Sequence, residues 1–133
     1  MSAAIPTGAA RAPAVDLDAV VDRYIAAWNE TDAGRRRGLV AAAFADAARY
    51  RDPMGAGDGH AGIDALIGAV QARFPGYRFR RRGAADGHGG HLRFAWDLAA
   101  AGEEPLAGGT DFATLAPDGR LAEVVGFLDY APG

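Results

Sequence analysis

The chain has 133 residues, of which 50% are apolar, and a formal net charge of −3. This length suits one domain with a hydrophobic core of its own. The mildly acidic balance gives no sign of nucleic-acid binding, and no apolar run is long enough to span a membrane.

Residues 1–14 are rich in alanine and proline and contain no compact apolar segment. We therefore expect a flexible tail over residues 1–14, a single domain over residues 15–133 and a cytoplasmic location. The chain has no cysteine, which excludes disulfides and thiolate metal sites. Its three histidines lie in or beside glycine-rich segments, so neither a metal site nor a cofactor is expected.

Asp16 is placed to cap a first helix, along which apolar residues recur at helical spacing. Tyr24 and Trp28 lie one turn apart on its apolar stripe. Both residue types are common in cores, yet each has a polar tip that needs a partner when buried. Tyr24 and Trp28 are therefore candidates for a pocket as well as for packing.

A second helix is predicted over about residues 33–44 and a third over about residues 63–74. The arginine run at 35–37 is expected on the solvated face of the second helix. Residues 54–62 hold four glycines and are predicted to form a flexible loop, which could act as a lip over a pocket.

The strand before that loop ends at Asp52, because Pro53 cannot continue a hydrogen-bonded ladder. Side chains alternate along a strand, so Asp52 shares the apolar face with Ala48 and Tyr50. An unpaired buried carboxylate is costly and shifts its pKa upward. Asp52 is therefore a rim residue in water, a tuned acid or base, or a turn residue that accepts backbone N–H bonds.

Four further strands follow, with a glycine-rich turn predicted at 84–90. Short turns between consecutive strands predict an antiparallel meander. Asp111 shares a strand face with Gly109 and Ala113, where a carboxyl group would be desolvated. The predicted strands cover about residues 77–82, 91–98, 106–115 and 121–130.

The fold class predicted from this order is α+β. Three N-terminal helices pack against a curved, mostly antiparallel sheet, giving a cone-shaped domain with an internal pocket. Glycines at 108, 109 and 126 fit a sheet that bends or lets a neighbour approach closely.

Three stretches carry a family resemblance: Arg23–Asn29 in the first helix, Phe44-Ala45-Asp46 leading to Asp52-Pro53, and Thr110-Asp111-Phe112. On these stretches, residues 17–130 resemble the nuclear transport factor two-like superfamily. Within it they are most similar to the branch of ketosteroid isomerase and SnoaL-like polyketide cyclases.

The resemblance implies roles for three residues, Asp52, Tyr24 and Asp111. Asp52 would be the general base that moves a proton next to a carbonyl. Tyr24 and a protonated Asp111 would donate hydrogen bonds to the enolate oxygen, as described for ketosteroid isomerase. The implied function is an isomerase or cyclase acting on a hydrophobic small molecule. Substrate contacts are then expected from Trp28, Tyr50, Met54, Phe74, Phe79, Phe94, Trp96 and Leu128.

Two other hypotheses stay open at this point. The chain could be a non-catalytic ligand-binding or dimerisation module, a homodimer paired through the outer sheet face that carries Phe112. Asp52 would then only cap a turn. An epoxide hydrolase would need an Asp–Arg–Asp relay, for which Asp111, Asp129 and Arg93 are available types. Whether Tyr24 and Asp111 point at the same cavity as Asp52 discriminates between catalysis and the binding module.

Overall fold

The computed structural model describes residues 15–132, and the predicted tail over 1–14 lies outside them. Three helices precede or interrupt a six-stranded sheet. The helices are α1 (Leu17–Asn29), α2 (Ala33–Ala43) and α3 (Gly59–Arg73). The strands are β1 (Phe44–Asp52), β2 (Gly55–Asp58), β3 (Tyr77–His88), β4 (His91–Ala100), β5 (Ala107–Leu115) and β6 (Leu121–Tyr130). Among the described helices, none is long and apolar enough to cross a membrane.

The sheet has the order β2-β1-β6-β5-β4-β3, with β1 parallel to β6 and every other neighbouring pair antiparallel. This confirms the predicted α+β class and the meander of the last four strands. The parallel pair joins the N-terminal half of the chain to its C-terminal strand. As a result, the ends of β1 and β6 lie side by side.

Side-chain caps fix where the first two helices begin. Asp16 accepts a hydrogen bond from the Ala19 backbone N–H at 3.1 Å, and Asp32 accepts one from that of Arg35 at 2.8 Å. The end of α1 is tied to β3 by Asn29, whose side chain both donates to and accepts from the Phe79 backbone at 2.7 Å. These ties set the depth at which α1 lies across the sheet.

Two predictions about irregular segments were wrong. Residues 54–62 form β2 and the first turn of α3, where a flexible loop was expected. A side chain on Gly57 would collide with the backbone of Gly62, so glycine lets this strand pack against the helix. Likewise β3 runs on to His88 through a bulge between Arg82 and Asp86. Neither segment shows an apolar periodicity from which a strand could be predicted, because glycine has no side chain to contribute to the pattern.

A third correction concerns Arg36, which was expected in a solvated run. Only 9% of it is exposed. Its Nε donates to Asp64 at 2.7 Å and its Nη1 donates to Gln71 at 2.9 Å. Gln71 in turn donates to the carbonyls of Trp28 and Glu30. A buried charge needs such partners, and here they bind α2 and α3 to the end of α1.

Candidate functional site

A cavity of about 290 Å³ lies between the helices and the concave face of the sheet. It opens where β1 and β6 end, and its inner wall is built by α1, β4 and β5. Seven of the eight side chains expected to contact substrate line it: Trp28, Tyr50, Met54, Phe74, Phe79, Trp96 and Leu128.

The eighth, Phe94, lies outside the cavity lining. It is buried opposite Asp111 in the β4–β5 register and packs edge-on against Tyr24, with ring centroids 5.0 Å apart. Its expected contact with substrate is therefore corrected to a supporting contact behind Tyr24. The strand alternation was assigned correctly, but it could not show that Phe94 would pack against Tyr24 and not line the cavity.

Tyr24, Asp52 and Asp111 all line this one cavity. Asp111 is 1% exposed, so the predicted inward face of β5 is the one observed. Tyr24 reaches it from α1, and its hydroxyl donates to Asp111 Oδ2 at 2.6 Å. The Trp96 indole N–H donates to Asp111 Oδ1 at 3.1 Å. Both oxygens of this buried carboxyl group are therefore held by donors.

Asp52 lies at the edge of the same cavity and has three donors. Its Oδ1 accepts the backbone N–H groups of Met54 and Gly55 at 2.7 and 2.8 Å. Its Oδ2 accepts the Tyr50 hydroxyl at 2.5 Å. The turn-capping role considered from the sequence is thus present, together with a position on the cavity wall.

Gly126 explains how two acids from different strands meet. It is the register partner of Asp111 on β6, and the parallel pairing of Arg51 with Val125 places Asp52 on its other side. A Cβ atom at this position would lie 2.7 Å from Asp111 Oδ1 and 3.1 Å from Asp52 Cβ. Only glycine leaves room for both groups above one α-carbon.

Burial and the neighbouring charges shift the proton affinities of this cluster. Desolvation raises the pKa of Asp111 to about 6, against the lowering effect of its bonds from Tyr24 and Trp96, and the charge of Asp52 adds to the rise. Burial, followed by the charge of Asp111, also raises the pKa of the Tyr24 and Tyr50 hydroxyls well above 10. Both phenols therefore stay protonated and act as donors near neutral pH.

Trp96 and Tyr50 were expected from the sequence only as parts of an apolar wall. The structure shows in addition that Trp96 donates to Asp111 and Tyr50 to Asp52. The spacing of Tyr50 and Asp52 on one strand face was an available signal. The contact between Trp96 and Asp111 depends on the β4–β5 register, in which Trp96 pairs with Gly109. In contrast, the indole N–H of Trp28 is buried without an acceptor among the described residues.

Arg93, the arginine named for the epoxide-hydrolase hypothesis, does not line the cavity. Arg93 forms an exposed ion pair with Asp86. An Asp–Arg–Asp arrangement does exist, but it is formed by Arg82 between Asp97 and Asp129. Asp129 also accepts the Thr110 hydroxyl, which belongs to the strand face opposite that of Asp111. This relay therefore lies on the convex side of the sheet.

The raised pKa of Asp111 predicts a pH-dependent stability difference between the protein and Asp111→Asn. The folded chain binds this proton more tightly than the unfolded chain, so the group's stabilising contribution is full below pH 3.8 and is lost as the pH rises through about 6. The rise of the Asp111 pKa from 3.8 to about 6 corresponds to a free-energy difference of about 3 kcal/mol. Asp111→Asn should therefore gain stability relative to wild type between pH 4 and pH 8, as measured by urea unfolding.

Asp22→Asn is the control, because it removes a carboxyl group from the surface of α1. It measures how the loss of one negative charge alone changes the free energy of unfolding at each pH. A difference between wild type and Asp111→Asn that stays constant from pH 4 to pH 8 would contradict the assignment of a buried titrating carboxyl group.

Residues 21–124 match the model of the SnoaL-like domain family. A protein of the SnoaL-like family from Agrobacterium tumefaciens strain C58, provisionally named an isomerase, has a similar structure with a TM-score of 0.81. It shares 48% sequence identity, over 84% of this chain and 96% of that one. A search of curated proteins found no significant relative.

More distant structures share the fold. A SnoaL-like protein from Jannaschia sp. CCS1, provisionally named a polyketide cyclase, aligns at 18% identity over 92% of each chain, with a TM-score of 0.64. A nuclear transport factor two-like protein of unknown function from Cytophaga hutchinsonii aligns at 12% identity over 88% of this chain and 93% of that one, with a TM-score of 0.62. The family match and the 48% identical structure together establish that the chain belongs to the SnoaL-like family.

Proposed function

We propose that the chain is an enzyme that abstracts a proton next to a carbonyl group of a hydrophobic small molecule. The observation that carries this proposal is the convergence of Tyr24, Asp52 and Asp111 on one largely apolar cavity. Ligand sites are typically apolar pockets with a few converging polar groups of shifted pKa. The provisional isomerase and cyclase names of the similar structures agree with this class of chemistry.

In the proposed reaction, Asp52 takes a proton from the carbon beside the carbonyl, and the electron pair moves to the carbonyl oxygen. Tyr24 and Asp111 then stabilise the enolate oxygen by donating hydrogen bonds. Return of the proton from Asp52 to a different carbon completes an isomerisation. Attack of the enolate carbon on a second carbonyl group would instead form the ring's carbon–carbon bond, and transfer of the proton from Asp52 to the resulting alkoxide oxygen would complete an aldol-type closure.

The Tyr24–Asp111 pair holds either one or two protons, and this number decides whether it can stabilise an oxyanion. With Asp111 ionised, the pair has only the Tyr24 proton, which is used in the bond between them. With Asp111 protonated, the pair has two protons, and both groups can donate to a ligand oxygen in place of the bond between them. Because the pKa of Asp111 is about 6, the second proton is available at little cost near neutral pH.

Binding of a fluorescent naphthol tests this site without requiring the natural substrate, because a phenolate resembles an enolate. Tyr24→Phe should weaken binding about tenfold or more, since a hydrogen bond to a charged oxygen is lost. Asp52→Asn should strengthen binding by removing a nearby negative charge. Asp111→Asn should retain binding, because its amide N–H can replace the protonated carboxyl as a donor. Fluorescence titration measures each affinity.

Tyr77→Phe is the matched control, because this half-buried tyrosine lies outside the cavity lining. Absence of saturable binding to wild type would show that the cavity has no oxyanion site for such ligands. Equal effects of Tyr24→Phe and Tyr77→Phe would show the same. The non-catalytic binding module would then be the better description.

We also propose that two copies pair through the outer sheet face, since Phe112 is 45% exposed there beside further exposed apolar surface on Phe127. Phe112→Ser should then shift the protein toward monomer in sedimentation velocity. Val15→Ser, at a position that is 49% exposed and outside the sheet, should leave the distribution unchanged. A wild type that sediments as a monomer at all concentrations tested would refute the pairing.

A further inference from the structure

Arg73 is the one basic residue that lines the cavity within the described part of the chain. It lies on the last turn of α3, next to Phe74, and its guanidinium carbon is 5.7 Å from the centroid of the Phe74 ring. A cation–π contact of this kind leaves the N–H donors of a guanidinium free for a ligand. Arg73 therefore brings a positive charge and several donors to the rim of an apolar pocket.

No carboxylate neutralises this charge among residues 15–132. The ion pairs formed by arginines there belong to seven other side chains: Arg35, Arg36, Arg51, Arg81, Arg82, Arg93 and Arg120. The carboxylates that line the cavity, Asp52 and Asp111, have their own donors. An unpaired guanidinium beside apolar surface is better placed to bind an incoming anion than one already paired.

The placement of charge along the cavity suggests a ligand with two different ends. The carboxyl of Asp111 is buried in the inner wall, whereas Arg73 is an exposed lining residue, as are Met54 and Leu128, which are 49% and 40% exposed. A ligand whose carbonyl oxygen reaches Tyr24 and Asp111 would extend across the apolar wall toward these exposed residues. The group nearest Arg73 would be the end farthest from the reaction.

We propose that the substrate carries a carboxylate at the end away from the reacting carbonyl group, and that Arg73 binds this carboxylate. The proposal rests on the function proposed above and adds a substrate class, an apolar keto acid. A basic residue in the last helical turn also complements the helix dipole. That role alone would give Arg73 no influence on which ligands bind, so ligand charge separates the two explanations.

The test compares 6-hydroxy-2-naphthoate with its neutral amide, since the two ligands share one ring system and one phenol. The carboxylate should bind about three- to tenfold more tightly than the amide, the range expected between exposed ion pairs and charge-assisted hydrogen bonds. Arg73→Gln should reduce this ratio to about one, because the carboxylate loses more affinity than the amide when the positive charge is removed. High salt should also reduce the ratio in wild type, because it screens an exposed charge.

Arg78→Gln is the control for net charge, because Arg78 is an exposed residue on β3 that does not line the cavity. It should leave the ratio as in wild type. Equal affinities for the two ligands, or equal loss of the ratio in both arginine variants, would overturn the role of Arg73.

The amide separates this inference from the function on which it depends. If the amide binds and Tyr24→Phe weakens it, but the ratio is one, the keto-acid assignment fails and the oxyanion site stands. If neither ligand binds, both proposals fail together.

Discussion

The site depends on a single buried carboxyl group and on the two donors that hold it. The hydrogen bond from Tyr24 to Asp111 joins α1 to β5 across 87 positions of sequence, at 2.6 Å. Trp96 fixes the other carboxyl oxygen from the neighbouring strand. Leaving such a group without partners inside the domain would cost several kcal/mol, so α1, β4 and β5 have to adopt the relative positions that satisfy it. The wall of the cavity is a consequence of that requirement.

The same packing of helix and strands gives the two acids of the cavity different surroundings. Asp111 is enclosed by aromatic side chains, and desolvation raises its pKa to about 6. Asp52 lies where β1 ends and accepts two backbone N–H groups of the following turn. Gly126 lets the two acids approach each other, because it has no side chain to occupy the space above its α-carbon. Environments that differ in this way allow one carboxyl group to hold a proton while the other accepts one.

Much of the fold was predictable because its signals are local and periodic. Helical spacing around Tyr24 and strand alternation around Asp111 gave the correct elements and the correct inward faces. The segments without side-chain periodicity were predicted incorrectly: glycines concealed β2 and the extension of β3. Arg36 was placed in solvent because its partners, Asp64 and Gln71, lie on another helix, about 30 positions away in sequence. The donor role of Trp96 depends likewise on strand register, which the sequence of one strand alone does not specify.

Proton uptake on ligand binding shows whether the Tyr24–Asp111 pair must hold two protons to stabilise an oxyanion. A phenol acidic enough to be fully ionised at about pH 7.5, such as 3,4-dinitrophenol, is titrated calorimetrically in two buffers of different ionisation enthalpy. Wild type should take up nearly one proton per bound phenolate, because most Asp111 groups are ionised before binding, and Asp111→Asn should take up almost none. Tight binding of the phenolate to wild type without proton uptake would rule out the two-proton requirement.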